Sequence, residues 1–111
     1  MKTDEKYLLH ILQAISLLED FLKDVSKAEF MANPEKQFAV VRGLEIIGEA
    51  VKNISSSTKK KNPDLSWKDI AGTRDVLIHA YFSVDYDLVW IIVKDDVPKL
   101  KRKVEEILKE R

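Results

Sequence analysis

The chain has 111 residues, of which 45% are hydrophobic and 34% charged, and its 19 basic side chains balance 19 acidic ones. This length supports one core of ordinary size, so we expect residues 1–111 to form a single domain. The balanced charge excludes a general electrostatic attraction to nucleic acid or to a membrane. The lack of cysteine excludes disulfides and thiolate catalysis, and His10 and His79 are too few for a histidine-based zinc site. We therefore expect no metal and no other cofactor.

The distribution of apolar residues predicts a cytoplasmic protein made of helices. The N-terminus carries no apolar signal segment, and no run approaches the roughly 20 apolar residues that span a bilayer, so we expect no membrane association. Only three glycines and three prolines occur. A composition with so few residues that break helices favours long helices.

The first predicted helix runs from about Asp4 to Asp24. Its apolar residues recur at the spacing of a helix with one buried face, and they are Tyr7, Leu8, Ile11, Leu12, Ile15, Leu18, Phe21 and Leu22. His10 lies off this stripe beside Lys6 and Gln13. We interpret it as a solvated surface histidine without a functional role.

A second helix is predicted to start at Asn33, because asparagine caps helices and Pro34 fits the first turn. It should run to about Lys60. Gly43 and Gly48 lie inside it, and each costs up to about 1 kcal/mol against alanine there. They indicate either close packing against another helix or simple tolerance. The residues expected to be buried are Phe38, Val41, Leu44, Ile47, Val51 and Ile54.

The C-terminal part of the chain predicts further helices. Asp85 is a plausible cap for a fourth helix. Pro98 either kinks this helix or starts a new one after Asp96, and a helical apolar stripe then continues to the C-terminus. The fold expected from these elements is all-α, a bundle of four or five antiparallel helices joined by short loops.

The third helix, predicted from Trp67 towards His79 or Tyr81, carries the residues with the most chemical potential. Relative to Arg74, the positions of Asp75, His79 and Tyr81 fall at about 100°, 140° and −20° around an ideal helix, so the four share one broad face. The opposite side should pack into the bundle, and it consists of Thr73, Val76, Leu77 and Ala80.

Among the reactions open to such a site without a metal, cleavage of an RNA phosphodiester fits best. The neighbouring 2′-hydroxyl supplies the nucleophile, so the protein must only move protons and stabilise charge. His79 can act as the general acid or base, and Arg74 can hold the phosphate and stabilise the developing charge. Asp75 lies one turn before His79 and can orient its imidazole. An arginine and an aspartate near a helical histidine can equally be structural.

One geometric difficulty concerns the pair Arg74 and His79. Their positions are about 140° apart on an ideal helix, so they meet at one phosphate only if Arg74 curls round, the helix is distorted or a second copy contributes. A symmetric dimer with a shared cleft would solve this. Ile78 and Phe82 are candidates for the contact between copies.

The stretch from Arg74 to Tyr81 matches the pattern R-x-x-x-x-H-x-Y. With its surroundings, it resembles the HepT-like branch of the HEPN superfamily. The resemblance extends over nearly the whole chain, and its supporting segments are Leu44–Lys52, Trp67–Gly72, Tyr81–Tyr86 and Val89–Pro98.

The resemblance implies an all-helical homodimer that acts as a metal-independent endoribonuclease, the toxin of a prokaryotic toxin–antitoxin pair. It further implies transfer RNA or other RNA as substrate and a nucleotidyltransferase antitoxin of the MNT or MntA type as partner. On this resemblance Arg74 and His79 are the catalytic pair and Asp75 supports them. Tyr81 is the tyrosine that the antitoxin modifies with AMP.

Two other functions are consistent with the same residues. The chain could be a non-catalytic helical subunit that binds a nucleotidyltransferase and a nucleotide, with Arg74 as phosphate ligand and His79 as a structural residue. It could also be a degenerate relative that only dimerises. RNA cleavage that depends on Arg74 and His79 would separate the first reading from these two.

Overall fold

The computed structural model describes residues 2–79 and 84–110, with the backbone alone at residues 2, 74–76, 78 and 79. Within these ranges every regular element is helical, which confirms the all-α prediction. The elements are α1 (Lys2–Phe21), α2 (Lys27–Met31), α3 (Pro34–Lys52), α4 (Ser56–Lys61), α5 (Trp67–His79), α6 (Tyr86–Ile91), a π-helical segment (Ile92–Asp96) and α7 (Val97–Lys109).

Four long helical segments build the bundle, namely α1, α3, α5 and the continuous path from α6 to α7. The N-terminal end of α1 meets the C-terminal end of α3, where the backbone N–H of Ser55 donates to Asp4 at 2.9 Å. At the other end, Lys36 Nζ donates to the carbonyl of Phe21 at 3.1 Å. The two helices are therefore antiparallel, as predicted, and the short helices α2 and α4 lie in the connections.

The core is one cluster of buried apolar side chains drawn from both the N-terminal and the C-terminal helices. Members buried to within 1% of full burial include Leu8, Ile11, Ile15, Leu18, Phe30, Val40, Val51, Val89 and Val104. His10 is exposed, which confirms its placement on the surface. No helix in the described part of the chain is long and apolar enough to cross a membrane.

Gly43 on α3 faces the side chain of Leu18 on α1. A Cβ atom added at Gly43 would lie 2.6 Å from Cδ2 of Leu18, closer than real Cβ contacts allow. Because Leu18 is only 1% exposed, its side chain has little room to move. Of the two interpretations of this glycine, the structure supports close helix packing.

The prediction that the second helix extends to about Lys60 is wrong. Helix α3 ends at Lys52, and α4 begins separately after Ser55. The Ser55 side chain accepts a hydrogen bond from the N–H of Thr58, and its own N–H is held by Asp4. A cap and a bond from a distant helix thus outweigh the helical pattern of the local sequence.

The expectation that Phe38 is buried is also wrong, because its side chain is 73% exposed. The buried row of α3 is Val40, Leu44, Ile47 and Val51, which follow the i, i+4, i+7, i+11 spacing of one helix face. Phe38 precedes Val40 by two residues and is therefore about 200° away around the helix.

Pro98 lies at the start of α7, just after Asp96, although the helical path from α6 through the π-helical segment into α7 has no break. It is the second residue of α7, where its missing N–H needs no partner inside the helix. The turn before it widens into a π-helical segment in which Val97 N–H donates to the carbonyl of Ile92, five residues earlier. This wider turn leaves space for the proline ring, which would otherwise meet the carbonyl four residues before it.

Candidate active site

A chain of buried hydrogen bonds anchors the start of α5. Trp67 is 6% exposed, and its Nε1 donates to the carbonyl of Asn62 at 2.9 Å. The side-chain amide of Asn62 donates to the carbonyl of Thr58 at 2.9 Å. The hydroxyl of Thr58 then donates to the carboxylate of Asp4 on α1. Through these contacts the first turn of α5 is fixed relative to α1 and α4.

Asp4 is central to this network, and the sequence reasoning missed it. Its side chain is 1% exposed and accepts hydrogen bonds from Ser55 N at 2.9 Å and Ser55 Oγ at 2.6 Å, as well as from Thr58. The available signal was its position, since Asp4 lies four residues before Leu8 and seven before Ile11, on the buried stripe. A carboxylate in an apolar stripe should be buried and hydrogen-bonded.

The side of α5 that packs into the bundle can be read from its described side chains. Leu77, Ile70 and Ala71 are half-buried and contact the core. Leu77 is therefore on the core side, as predicted. Thr73 is half-buried, whereas the predictions for the side chain of Val76 and for Ala80 lie outside the described residues.

Three of the four predicted site residues lie on α5. Arg74 and Asp75 are in its second half, and His79 is its last residue; the structure describes their backbone. The α-helix continues without interruption from Trp67 to His79 and passes through Gly72. On such a regular helix the positions of Arg74 and His79 are about 140° apart. The prediction for Tyr81 falls outside the described residues, as does the one for Phe82 as a dimer contact.

Between the residues that the structure describes, two of the clefts border α5. The α5–α6 groove has a volume of about 500 Å³. It is lined by Lys68, Asp69, Gly72, Thr73, Leu77, Val84, Asp85, Leu88, Val89 and Ile92. The second cleft, of about 340 Å³, lies between α3, α5 and α7 and is lined on α5 by Asp69, Ile70 and Thr73. Because the groove reaches Leu77, it extends nearer to the position of His79.

The opposite wall of the α5–α6 groove is held by α2. Asp85 caps α6 by accepting a hydrogen bond from Leu88 N at 3.1 Å. On the inner side of α6, the buried ring of Phe30 lies 6.2 Å from the ring of Tyr86 and 5.4 Å from that of Trp90. These aromatic contacts fix α6 against α2 and leave Leu88 half-exposed along the groove.

The ion pairs made by Lys101 and Lys103 involve no residue that lines the α5–α6 groove. Lys103 Nζ contacts Asp64 at 3.1 Å, and this hydrogen bond holds the pKa of the Asp64 carboxyl below its ordinary value. Glu19 contacts Lys101 at 2.9 Å and raises the pKa of that ammonium. Among the side chains that the structure describes, which do not include those of Asp75 and His79, no three histidine or acidic groups gather in a way that could hold a metal ion.

The chain is similar to known proteins over nearly its whole length. The family model described as "Ribonuclease HepT-like" matches residues 11–107, which include all of α5. The chain belongs to the HepT-like ribonuclease family. The resemblance inferred from the motif and its flanking segments is thereby confirmed, and α5 is a helix of a HepT-like domain.

Full-length relatives of the HepT-like family support the assignment. A Thermococcus cleftensis protein named "Probable ribonuclease HepT" is 46% identical over 98% of this chain and 100% of its own length. "Putative RNase TTE0752" of Caldanaerobacter subterraneus is 45% identical over 97% of this chain and 96% of its own. "Putative RNase MJ1380" of Methanocaldococcus jannaschii is 46% identical over 94% and 96%. No solved structure matches the chain.

Proposed function

We propose that this HepT-like protein is a metal-independent endoribonuclease of the cytoplasm and the toxin of a toxin–antitoxin pair. It would cleave transfer RNA or another RNA at a site formed by Arg74 and His79. The observation that carries the proposal is the presence of both residues on α5, within the region matched by the HepT-like ribonuclease family.

The proposed reaction needs no group beyond the chain and the RNA. A base removes the proton of the 2′-hydroxyl, whose oxygen attacks the adjacent phosphorus. The bond to the 5′-oxygen breaks, and that oxygen takes a proton, which leaves a cyclic phosphate and a free 5′-hydroxyl. His79 would carry one of these protons. Arg74 would stabilise the charge on the phosphate, and Asp75 would orient the imidazole.

We propose that two copies of the chain form the site. On the uninterrupted helix α5, the positions of Arg74 and His79 point in directions about 140° apart. The backbone between Arg74 and His79 is a regular helix, so a helix distortion does not explain how the two side chains would meet. A symmetric dimer would place Arg74 of one copy beside His79 of the other. Apolar side chains such as Phe38 and Ile46 on α3 are exposed in the single chain. Exposed apolar side chains often mark a surface that a partner covers, which supports the formation of a dimer.

A nucleotidyltransferase antitoxin of the MNT or MntA type would silence the enzyme by modifying Tyr81. The tyrosine hydroxyl would attack the α-phosphate of ATP, form a tyrosyl-AMP ester and release pyrophosphate. Tyr81 is only about 20° from Arg74 on a continued helix. The added phosphate would therefore compete with the RNA phosphate for the guanidinium.

The direct test is cleavage of total transfer RNA by the purified protein in EDTA. Wild type should cleave the RNA, and Arg74→Ala and His79→Ala should each lose most of the activity. Lys94→Ala, a change of an exposed cation on the π-helical segment, serves as the control and should cleave like wild type. Equal background cleavage by all four proteins would favour the non-catalytic subunit instead.

The modification is tested separately with Tyr81→Phe. Incubation with the antitoxin and labelled ATP should label the wild type and not the variant, because phenylalanine has no hydroxyl to attack the phosphate. Intact-mass spectrometry should show the mass of one or more AMP groups on the wild type alone. Equal labelling of both proteins would place the modification on another residue.

A further inference from the structure

The α5–α6 groove reaches further along α5 towards His79 than the second cleft does, and its exposed lining is mainly apolar. The α6 side supplies most of the apolar surface through Val84, Leu88, Val89 and Ile92, and the α5 side adds Leu77 beside Lys68, Asp69, Gly72 and Thr73. Its volume of about 500 Å³ falls within the roughly 300–1,000 Å³ of small-ligand pockets. Leu88 is 49% exposed along it. The groove therefore offers apolar surface that a flat ring could cover.

The register of α5 connects this groove with the predicted catalytic residue. Lys68, Gly72, Asp75 and His79 follow the spacing i, i+4, i+7, i+11, so their positions form one line along the helix. The first two line the groove. Gly72 and His79 are about 10 Å apart along the helix axis, at 1.5 Å per residue. A molecule in the groove thus lies beside the proposed cleavage point rather than on it.

The position of Gly72 on this line of residues borders open space. A Cβ atom added at Gly72 would meet nothing within 4 Å, so packing does not require the glycine. A glycine in a helix interior is less favourable than alanine. A glycine at this position leaves space beside the helix for a bound group, which would explain why the less favourable residue occurs here.

We propose that the α5–α6 groove binds the base of a nucleotide close to the cleaved bond of the RNA; this inference rests on the proposed function. The apolar side chains of the walls pack against the faces of the base. Asp69 on the α5 wall accepts a hydrogen bond from an amino group of the base. Lys68, at the end of the line away from His79, attracts the phosphate on that side of the nucleotide.

The occupant is a base rather than a phosphate because of the charges on the lining. Asp69 and Asp85 place two carboxylates in the groove against one ammonium, that of Lys68. A phosphate would be repelled from this interior, whereas a neutral ring with amino groups would not. On the α6 side, the four apolar residues Val84, Leu88, Val89 and Ile92 outnumber the single carboxylate of Asp85, which also favours an uncharged ring.

A pair of variants on α6 tests the groove. Leu88→Glu places a charge on its wall, and Ile91→Glu makes the same change at a side chain of similar exposure, 48%, that does not line it. Substrates are RNA oligonucleotides of one cleaved sequence, each lacking the base at one position. For wild type and Ile91→Glu, KM should rise roughly tenfold when the missing base is the one in the groove.

Leu88→Glu should raise KM for the complete RNA by a similar factor and should no longer respond to the missing base. Leu88→Ala, which adds no charge, should also raise KM for the complete RNA and weaken the response to the missing base, but by smaller factors. Equal KM values for the two glutamate variants, or a wild type insensitive to every missing base, would overturn the proposal. A change in oligomeric mass of Leu88→Glu alone would identify the groove as a protein interface and would overturn it as well.

The same oligonucleotides distinguish this inference from the proposed function. If the wild type cleaves no RNA, the ribonuclease proposal fails, and fluorescence anisotropy then measures binding of the labelled series directly. Weaker binding at one missing base, lost in Leu88→Glu and kept in Ile91→Glu, would still support the groove. Equal binding of the whole series would refute it.

Discussion

The α1–α3 contact and the α5–α6 groove each contain a glycine within a helix, but the two glycines have different surroundings. At the α1–α3 contact, Gly43 is covered by Leu18, and an added Cβ would lie 2.6 Å from that side chain. At the α5–α6 groove, the same test at Gly72 meets nothing within 4 Å. Both residues lie inside α-helices of one small protein. One glycine permits close packing, and the other leaves space.

The polar residues of the two regions differ in the same way. On the α1 side, the carboxylate of Asp4 is buried and accepts bonds from Ser55 and Thr58. In the groove, Lys68 and Asp69 are exposed on α5. Buried, satisfied polar groups fix structure, and exposed groups beside a cavity can bind a ligand. We interpret the α1–α3 side as scaffold and the α5–α6 side as the binding side.

The largest expected effect is on catalysis. Arg74→Ala and His79→Ala should each lower kcat/KM by at least about 100-fold. If each site joins Arg74 of one copy to His79 of the other, a co-expressed mixture of the two variants contains dimers with one intact site. Half of the dimers in an equal mixture are mixed, so activity should recover to about a quarter of wild type.

The same mixture also tests the alternative geometry. A site built within a single chain would lose either Arg74 or His79 in every copy, so mixing would restore no activity. Recovery is measured as the initial rate of RNA cleavage by the co-purified mixture. A rate equal to that of the separate variants would exclude the shared site, while the catalytic roles of both residues would stand.

Asp4→Ala should have the next largest effect, on the scaffold side. It removes the buried carboxylate that accepts hydrogen bonds from Ser55 and Thr58. Because these donors then lose their acceptor in the interior, the free energy of unfolding should fall by about 3 kcal/mol. Asp20→Ala, a change of an exposed acid on the same helix, should change it by less than about 0.5 kcal/mol. Urea denaturation measures both, and equal effects would contradict the role assigned to Asp4.

The two glycines give a smaller and more specific contrast. Gly72→Ala should stabilise the protein by about 0.5–1 kcal/mol, because alanine favours the helix and the site is open. Gly43→Ala gains the same propensity but crowds Leu18, so it should be less stable than Gly72→Ala by roughly 1–3 kcal/mol. Thermal and urea unfolding measure the difference, and equal stabilities would show that Leu18 can move aside.

The smallest effect concerns the surface pair of Asp64 and Lys103. Lys103→Gln should raise the pKa of the Asp64 carboxyl towards its ordinary value, because the charged hydrogen bond that lowers it is lost. Stability from this pair is present above the unfolded-state pKa and is lost as pH falls through the lower folded-state pKa. NMR titration should show the change, and Lys101→Gln, whose partner is Glu19, should leave Asp64 unchanged.

The sequence predicted those features that depend on neighbouring residues. Asn33 and Asp85 cap α3 and α6, where asparagine and aspartate precede helical stripes. The start of α5 at Trp67 and the start of α7 just before Pro98 also followed from local patterns. Arg74, Asp75 and His79 were expected on the third helix from its local pattern, and their backbone lies on α5.

Features that depend on distant contacts were missed. The break before Ser55 exists because Asp4, far away in the sequence, holds its N–H. The α5–α6 groove joins residues on two helices separated by the segment after His79, and no periodicity in either helix predicts it. Phe38 was expected to be buried on the strength of its hydrophobicity, although the register of α3 places it outside.

The most direct test of the division into scaffold and binding side compares Gly43→Leu with Gly72→Leu. Both variants gain the same helix propensity, and both are measured for unfolding free energy and for KM with RNA. Gly43→Leu should lose roughly 1–3 kcal/mol of stability and keep the wild-type KM in its folded fraction. Gly72→Leu should be at least as stable as wild type, because leucine favours the helix, and should raise KM about tenfold, a loss of roughly 1.4 kcal/mol in binding. Loss of both properties in both variants, or an unchanged KM in Gly72→Leu, would contradict the division.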